Sequence, residues 1–424
     1  MRAQPVAAAS PSASEPPDLD PSGGGPATPI YLDHLATTPL DPRVLEVMLP
    51  YLRENFGNPS SRTHDFGLHA AAAVEAARGH VAALVGATAR EVVFTSGATE
   101  ANNLAIKGTC AAWAGQGVHL VTCATEHHAV LDVFDSLERS GQGFRVTRVA
   151  VDHQGIIDLP ALAAALDDEA RLLSVMAANN ETGVLQPLEQ IARCLQGRNV
   201  IWHCDAAQGV GKIPLDLRRI PIDLLSLSAH KMYGPKGQGA LFVRRRRPPL
   251  RLAAQIEGGG QERGLRSGTL NVAGIVGLGE ACRLCQQERA PEAERLAQLR
   301  DSLQQCLVHA FGAAVVVNGG AAVRLPNALN VSFPDSHVAE LLPRLRDVAL
   351  SSGSACSSGA DTPSHVLAAM GLDVATAAAS LRFGLGRTTT LEEVEWAARR
   401  VITEVRSCGK RQRPYVFSPK PNQP

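Results

Sequence analysis

Two stretches, Ile201 to Gln208 and Asp223 to Gly237, place an acid, an amide, hydroxyl and imidazole donors and one lysine within a single strand-turn-strand passage. Each opens as a short apolar run and closes on polar residues, as buried parallel strands do when they deliver side chains at their carboxyl ends. Ligands of open α/β sheets bind at those ends. Taken singly, Lys231 reads as a solvated strand-end lysine and Asp205 as a turn residue, since both types are common on surfaces. Taken together they match the needs of a pyridoxal phosphate site: an amine for a Schiff base, a carboxylate that keeps a pyridinium nitrogen protonated, and phosphate donors. Lys231 supplies the amine, Asp205 the carboxylate and Gln208 a donor to the ring hydroxyl. Ser228 and His230 supply the phosphate contacts.

The elements around this passage present further chemistry. A strand, Glu91 to Thr95, turns through Ser96-Gly97-Ala98-Thr99-Glu100 into a helix, whose first N–H groups suit a phosphate. Glu126-His127-His128 opens another helix, where an imidazole can stack on a ring or exchange protons, or simply cap the helix. The strand Leu172 to Met176 runs into Asn179-Asn180-Glu181, a polar strand end that fits a site floor and is equally a turn-forming pair. Cys356 lies in Leu350 to Ala360, a loop of Ser, Gly and Ala with little to bury. Beside an imidazole or a cation such a thiol is partly thiolate and nucleophilic. Arg382 offers a guanidinium for two-point recognition of a carboxylate, or an ordinary surface ion pair. Arg244 to Arg247 are read as a solvated strand end and not as a nucleic-acid patch, because no aromatics interleave and two prolines end the run. Gly258 to Thr269 lacks the spacing of a dinucleotide fingerprint.

With Tyr31-Leu-Asp-His-Leu-Ala-Thr-Thr and Gly57-Asn-Pro-Ser-Ser-Arg-Thr-His64, these motifs run in order over about Pro29 to Glu404. In that order they resemble the class V, fold-type I pyridoxal phosphate enzymes, and among them the cysteine desulfurases of the iron-sulfur-cluster assembly type. The resemblance implies an α/β fold, a mostly parallel central sheet flanked by helices, with a smaller α+β carboxyl-terminal domain. It implies Ala98 and Thr99 as phosphate ligands, His127 as the ring-stacking acid-base residue, and Asn180 on the cofactor ring and the substrate carboxylate. Arg382 would hold that carboxylate, and Thr269 would reach the cofactor phosphate of a second subunit in a homodimer. Lys231, Cys356 and His127 would be catalytic, converting L-cysteine to L-alanine with a persulfide left on Cys356. A sulfur-acceptor protein would then take the sulfur, for iron-sulfur clusters or tRNA thiolation. The alternatives are a selenocysteine lyase on the same scaffold and a catalytically silent sulfur-carrier scaffold. Where members of this family commonly end in an apolar Ser-Pro-Leu-Trp-Glu-type segment, this chain ends differently, from Arg406 through Lys410-Arg-Gln-Arg to Pro424.

Length and composition set the frame. The 424 residues suffice for two sizeable cores, and 45% apolar with 19% charged residues is globular usage. Basic and acidic residues balance at 41 each, so no global field draws nucleic acid or an anionic membrane. Neither a membrane partner nor a metal is expected. Nine cysteines without regular spacing point to reduced thiols, with Cys282 and Cys285 as ordinary thiols of a helix face. Residues 1–28 are read as a disordered tail, poor in large apolar side chains and, with one Arg, unlike an Arg-rich transit peptide, which favours the cytoplasm. The expected parts are then 29–38 joining the small domain, 39–289 as the large cofactor-binding domain, 290–406 as the small domain with the cysteine loop 350–360, and 407–424 as a flexible tail. Helices are expected over Asp65–Val85, with Val74, Ala77, Val81 and Leu84 inward, and over about 271–289 and 292–310.

Overall fold

The structure is a computed structural model that describes residues 29–334, 336, 338–352 and 364–409. The tail 1–28, Cys356 with most of its loop, and all but three residues of the tail 407–424 lie outside the described residues. The elements run β1 (Ile30–Tyr31), α1 (Pro42–Arg53), α2 (Asp65–Val85), β2 (Val92–Thr95), α3 (Ala98–Cys110), β3 (His119–Cys123), α4 (His128–Arg139) and β4 (Arg145–Val149). Then come α5 (Leu159–Ala165), β5 (Ala170–Ser174), α6 (Leu188–Leu195), β6 (Ile201–Asp205), β7 (Leu224–Ser228), β8 (Gly239–Val243) and α7 (Val272–Phe311). The chain closes with β9 (Val316–Val317), β10 (Ala328–Ser332), α8 (Val338–Leu341), β11 (Val348–Ala349), β12 (Ser351–Ser352), α9 (His365–Ala369), α10 (Val374–Ala378), β13 (Ser380–Gly384) and α11 (Leu391–Gly409).

Seven strands form the main sheet in the order β2-β8-β7-β6-β5-β3-β4. All neighbouring pairs are parallel except those of β8, which sits antiparallel between β7 and β2. β2, β3, β5, β6 and β7 therefore point the same way, and their carboxyl ends meet along one edge. β2, β3, β6 and β7 are buried along their whole length, which is why their sequences show apolar runs and not alternation. Helices cover the sheet: Val74, Ala77, Val81 and Leu84 of α2 are all buried, as their spacing predicts. Gly86, at φ 70°, ends that helix in a left-handed conformation that glycine adopts without a Cβ clash.

A second antiparallel sheet, β12-β13-β10-β9, lies with the parallel pair β1-β11 around a separate apolar cluster that includes Ile30, Leu32, Leu329, Phe383 and Val401. The first described residues of the chain thus pack with the last. The expected helix pair is not seen. The two helices foreseen at 271–289 and 292–310 are a single helix, α7, with Pro291 inside it. Pro291 has no N–H for the carbonyl one turn back, but it is exposed, and burial on both sides carries the helix through. Val272 to Cys285 pack in the larger core, and Leu296 to Leu307 in the smaller one. Cys282 and Cys285 are buried helix-face thiols.

The arginine run is only half solvated. Arg245 and Arg247 are exposed, but Arg244 donates to the carbonyls of Ile222, Leu217 and Ile220, and Arg246 pairs with Asp223 at 3.3 Å. Those carbonyls belong to a loop more than twenty residues away, a pairing that sequence spacing does not reveal.

Candidate active site

The carboxyl ends of the parallel strands open onto a cleft of about 450 Å³. Its lining includes Ala98, Thr99, His127, Asn180, Asp205, Gln208, Ser228, His230, Lys231 and Arg382. These are ten of the twelve residues singled out in the sequence, drawn from six segments. Thr269 does not line the cleft and is exposed, and Cys356 lies outside the described residues.

Lys231 ends the short turn that follows β7, and its Nζ donates to the carbonyls of Leu35 and Ala36, both at 2.7 Å. Asp205 closes β6 and is buried, with Oδ2 accepting from Asn102 Nδ2 at 2.7 Å and Oδ1 from the Ala207 N–H at 2.9 Å. Two donors thus fix the carboxylate plane. Asn102 sits on α3 and was not foreseen; a buried Asn inside a helix carries no local sequence signal of its partner. Gln208 donates from Nε2 to Leu35 O at 2.8 Å and accepts at Oε1 from Lys212 Nζ at 2.9 Å.

The start of α3 also lines the cleft. Ser96 N–H donates to Glu100 Oε2 at 2.8 Å, and Glu100 also pairs with Arg266 at 2.9 Å, so the 258–269 loop braces the turn. Gly97 lies against β8 so closely that a Cβ on Gly239 would stand 2.6 Å from the Gly97 Cα. Gly239 must therefore lack a side chain, while Gly97 owes its identity to its positive φ of 156° and not to crowding. Ser228 and His230 also line the cleft, with His230 Nδ1 bonded to Thr37 Oγ1 at 3.0 Å. Burial, reinforced by the charge of Lys231, pushes the His230 imidazole down to about 4, so it is neutral in the physiological range.

His127 caps α4: its Nδ1 accepts the Ala129 N–H at 3.0 Å. A ring that accepts at Nδ1 carries its neutral-state proton on Nε2. Burial lowers its proton affinity, partly opposed by the Asp205 carboxylate. The capping role and a chemical role are therefore compatible, one for each nitrogen. Beside it Glu126 is buried with Oε1 accepting the Met176 N–H at 2.6 Å and Oε2 unpartnered, and burial raises its carboxyl well above the usual range.

Arg382, on β13, is 1% exposed. Its Nη2 pairs with Asp33 at 2.9 Å and its Nη1 donates to the Asn180 carbonyl at 3.1 Å, while Nε is buried without a partner. Asn180 Oδ1 is likewise buried and unpartnered. Two orphaned polar atoms on facing residues of one cleft are costly unless a ligand satisfies them. Glu181 accepts from Ser364, the first described residue after the cysteine loop, and burial pushes its carboxyl up to about 7. The other described foot of that loop is also nearby, since Ser351 pairs with Arg382 across β12 and β13.

A sheet with a lysine, an aspartate and a helix start gathered at its strand ends defines a class that comparison with known proteins makes explicit. The aminotransferase class-V model matches residues 30–396, and the chain belongs to that family. Within it the chain falls among the cysteine desulfurases. It is 54% identical over 378 residues to the cysteine desulfurase IscS of Anaeromyxobacter sp. (strain Fw109-5), covering 89% of this chain and 93% of that one. It is 50% identical over 386 residues to the Homo sapiens cysteine desulfurase, covering 91% and 84%. Among solved structures, a NifS-like protein superposes with a TM-score of 0.82 at 36% identity, over 89% of this chain and 99% of that one. SspA, solved in complex with cysteine, gives 0.74 at 36%, over 84% and 98%.

Proposed function

We propose that this protein is a pyridoxal phosphate-dependent cysteine desulfurase whose cofactor is held by Lys231 and whose sulfur leaves on Cys356. The observation that carries the reading is the single cleft that joins Lys231, Asp205, His127, the start of α3 and Arg382 from positions up to 284 apart, 98 to 382. The residues fit the cofactor. Helix-start N–H groups with Ser228 and His230 suit its phosphate, and the doubly held Asp205 suits its ring nitrogen. The unpartnered Asn180 Oδ1 and Arg382 Nε are polar atoms a bound ligand would satisfy.

When bound, pyridoxal phosphate supplies an electron-accepting ring that lets an amino acid lose its α-proton. Arg382 would hold the carboxylate of L-cysteine, charge-assisted and partly released from Asp33. Lys231, whose amine would hold the cofactor, would also take the α-proton of the substrate. His127, with its proton on Nε2, would manage the protons of the reacting thiols. The Cys356 thiolate would attack the substrate sulfur: a sulfur-sulfur bond forms, the carbon-sulfur bond breaks, and the carbon takes a proton. L-cysteine and one thiol become L-alanine and one persulfide, with no external oxidant or reductant needed.

Thr269, exposed and outside its own chain's cleft, supports a homodimer in which it serves the neighbouring site. The eight described cysteines are all free thiols, which supports a reducing compartment, taken here as the cytoplasm; the persulfide sulfur would pass on to an acceptor protein. Among the described residues no helix is long and apolar enough to cross a membrane.

The test is direct. Purified protein should absorb as a lysine-bound cofactor, and Lys231→Ala should abolish both that absorbance and alanine production. Cys356→Ser should keep the absorbance and yield no persulfide. Alanine formed at the wild-type rate by Lys231→Ala would end the assignment.

A further inference from the structure

A second lysine stands behind the first. Lys212 follows β6 by seven residues, is half-buried, and donates from Nζ to Gln208 Oε1 at 2.9 Å. An ammonium group is a donor only, so it fixes which end of the Gln208 amide is oxygen. The NH2 group must then face away from Lys212, and it does, donating to Leu35 O at 2.8 Å. That same carbonyl receives Lys231 Nζ at 2.7 Å. Lys212, Gln208, Leu35 and Lys231 therefore form one continuous polar chain along the cleft wall.

A small cavity of about 20 Å³ separates the two lysines from α7. Asn327 lines it, is 3% exposed, and has its Oδ1 buried and unpartnered. Such a space holds about one water. Asp205 shares the cleft with Lys231, and the groups facing Lys212 from surrounding elements are mostly neutral or already paired. His34 and His230 are each pushed down to about 4 by burial, and Cys285 is pushed up to about 11, so all three are neutral near pH 7. Glu292, across the cavity on α7, shares its carboxylate with Arg387 at 2.9 Å. Arg289 adds a further cation on that side. Burial and the charge of Lys231 bring Lys212 itself down to about 7, and repulsion between the two lysines acts equally on both.

We propose, resting on the functional reading above, that Lys212 is a positioning residue of the cofactor site. It locks Gln208 with its NH2 group toward the cofactor's ring hydroxyl, and its charge disfavours a proton on the Lys231 nitrogen. Neighbouring cations are a recognised way to activate a lysine that must react as a free amine. Sequence inspection gives Lys212 no distinction from any other lysine after a turn; the hydrogen bond to Gln208 provides it.

Three variants of the holoenzyme separate the two roles. Lys212→Arg keeps donor and charge, Lys212→Gln keeps a donor without the charge, and Lys212→Met keeps neither. Two readouts other than turnover apply: the pH midpoint of the lysine-bound cofactor absorbance, and the dissociation constant for pyridoxal phosphate added to the stripped protein. Lys212→Met should raise the midpoint by about one pH unit and weaken cofactor binding about tenfold, the scale of one charge contact and one charged hydrogen bond. Lys212→Gln should raise the midpoint while keeping binding within about threefold of wild type. Lys212→Arg should match wild type in both. Wild-type values for the midpoint and the affinity in Lys212→Met, even with lowered thermal stability, would overturn the inference. A wild-type chain that takes up no cofactor would instead overturn the functional reading, and this inference with it.

Discussion

His203 shows how a residue can belong to the site without touching a ligand. It lies on β6 two positions before Asp205, so both side chains leave the same face. Its ring bridges Ser174 Oγ on β5 at 2.8 Å and Ser226 Oγ on β7 at 3.0 Å, tying three strands together beneath the cleft. Burial pushes it from 6.5 down to about 4. Between those values the unfolded chain binds a proton that the folded chain refuses, so stability rises with pH there and is lost as pH falls. The buried carboxyl of Glu181, raised from 4.5 to about 7, acts in the opposite sense, costing stability as pH rises through that window. Single-site variants separate the two. His203→Gln should flatten the acid side of the melting-temperature profile between about pH 4 and 6.5, by up to about 1.4 kcal/mol per pH unit; an unchanged slope would contradict the assignment. Residues of this kind mark the limit of what the sequence discloses. Lys231 and Asp205 stood out only together, as an amine and a carboxylate closing neighbouring apolar runs, and Arg382 stood out through the resemblance of its motif. Asn102 and Lys212 did not, because their partners lie across the fold or are ordinary amides.

Elements were legible where a short apolar run ended in polar residues, as in the buried strands β6 and β7, or where a helical period ruled, as in the Ala-rich α2. They were not where packing overrode a local stop signal, as at Pro291. There a helix continues because its two halves are anchored in different cores, and the exposed proline only forfeits one hydrogen bond. Pro291→Ala should therefore stabilise the protein by about 1 kcal/mol, seen as a melting temperature a few degrees higher. The 258–269 loop carries a larger hidden energy. Glu262 and Arg78 are both buried and pair through two bonds, at 2.7 and 2.8 Å, and Glu262 also accepts the Phe94 N–H at 2.8 Å. Glu262 and Arg263 hold positive φ, at 47° and 59°, which these contacts sustain. Glu262→Gln leaves Arg78 buried with only the exposed Glu75 as a charged partner, and should cost about 3 kcal/mol in denaturant unfolding. A loss no larger than that of a surface ion pair would show the loop to be held by something else.

At the scale of the whole molecule, Thr269 should act in trans, so sedimentation should give a mass about twice 44.7 kDa. A monomer that retains full cofactor affinity would remove any need for a neighbour's hydroxyl. The motifs fixed the order of the chemistry along the chain, but not that the amino-terminal strand β1 would lie beside β11, 318 positions on, from 30 to 348. Such long-range pairing leaves no local period to read. The 40 residues of α7, at 1.5 Å each, make a rod of about 60 Å that belongs to both apolar interiors at once. A shared axle of this kind forbids the two halves from swinging freely apart, so any change in the mouth of the cleft must come from segments hung on it, or from bending where the proline has already removed one rung.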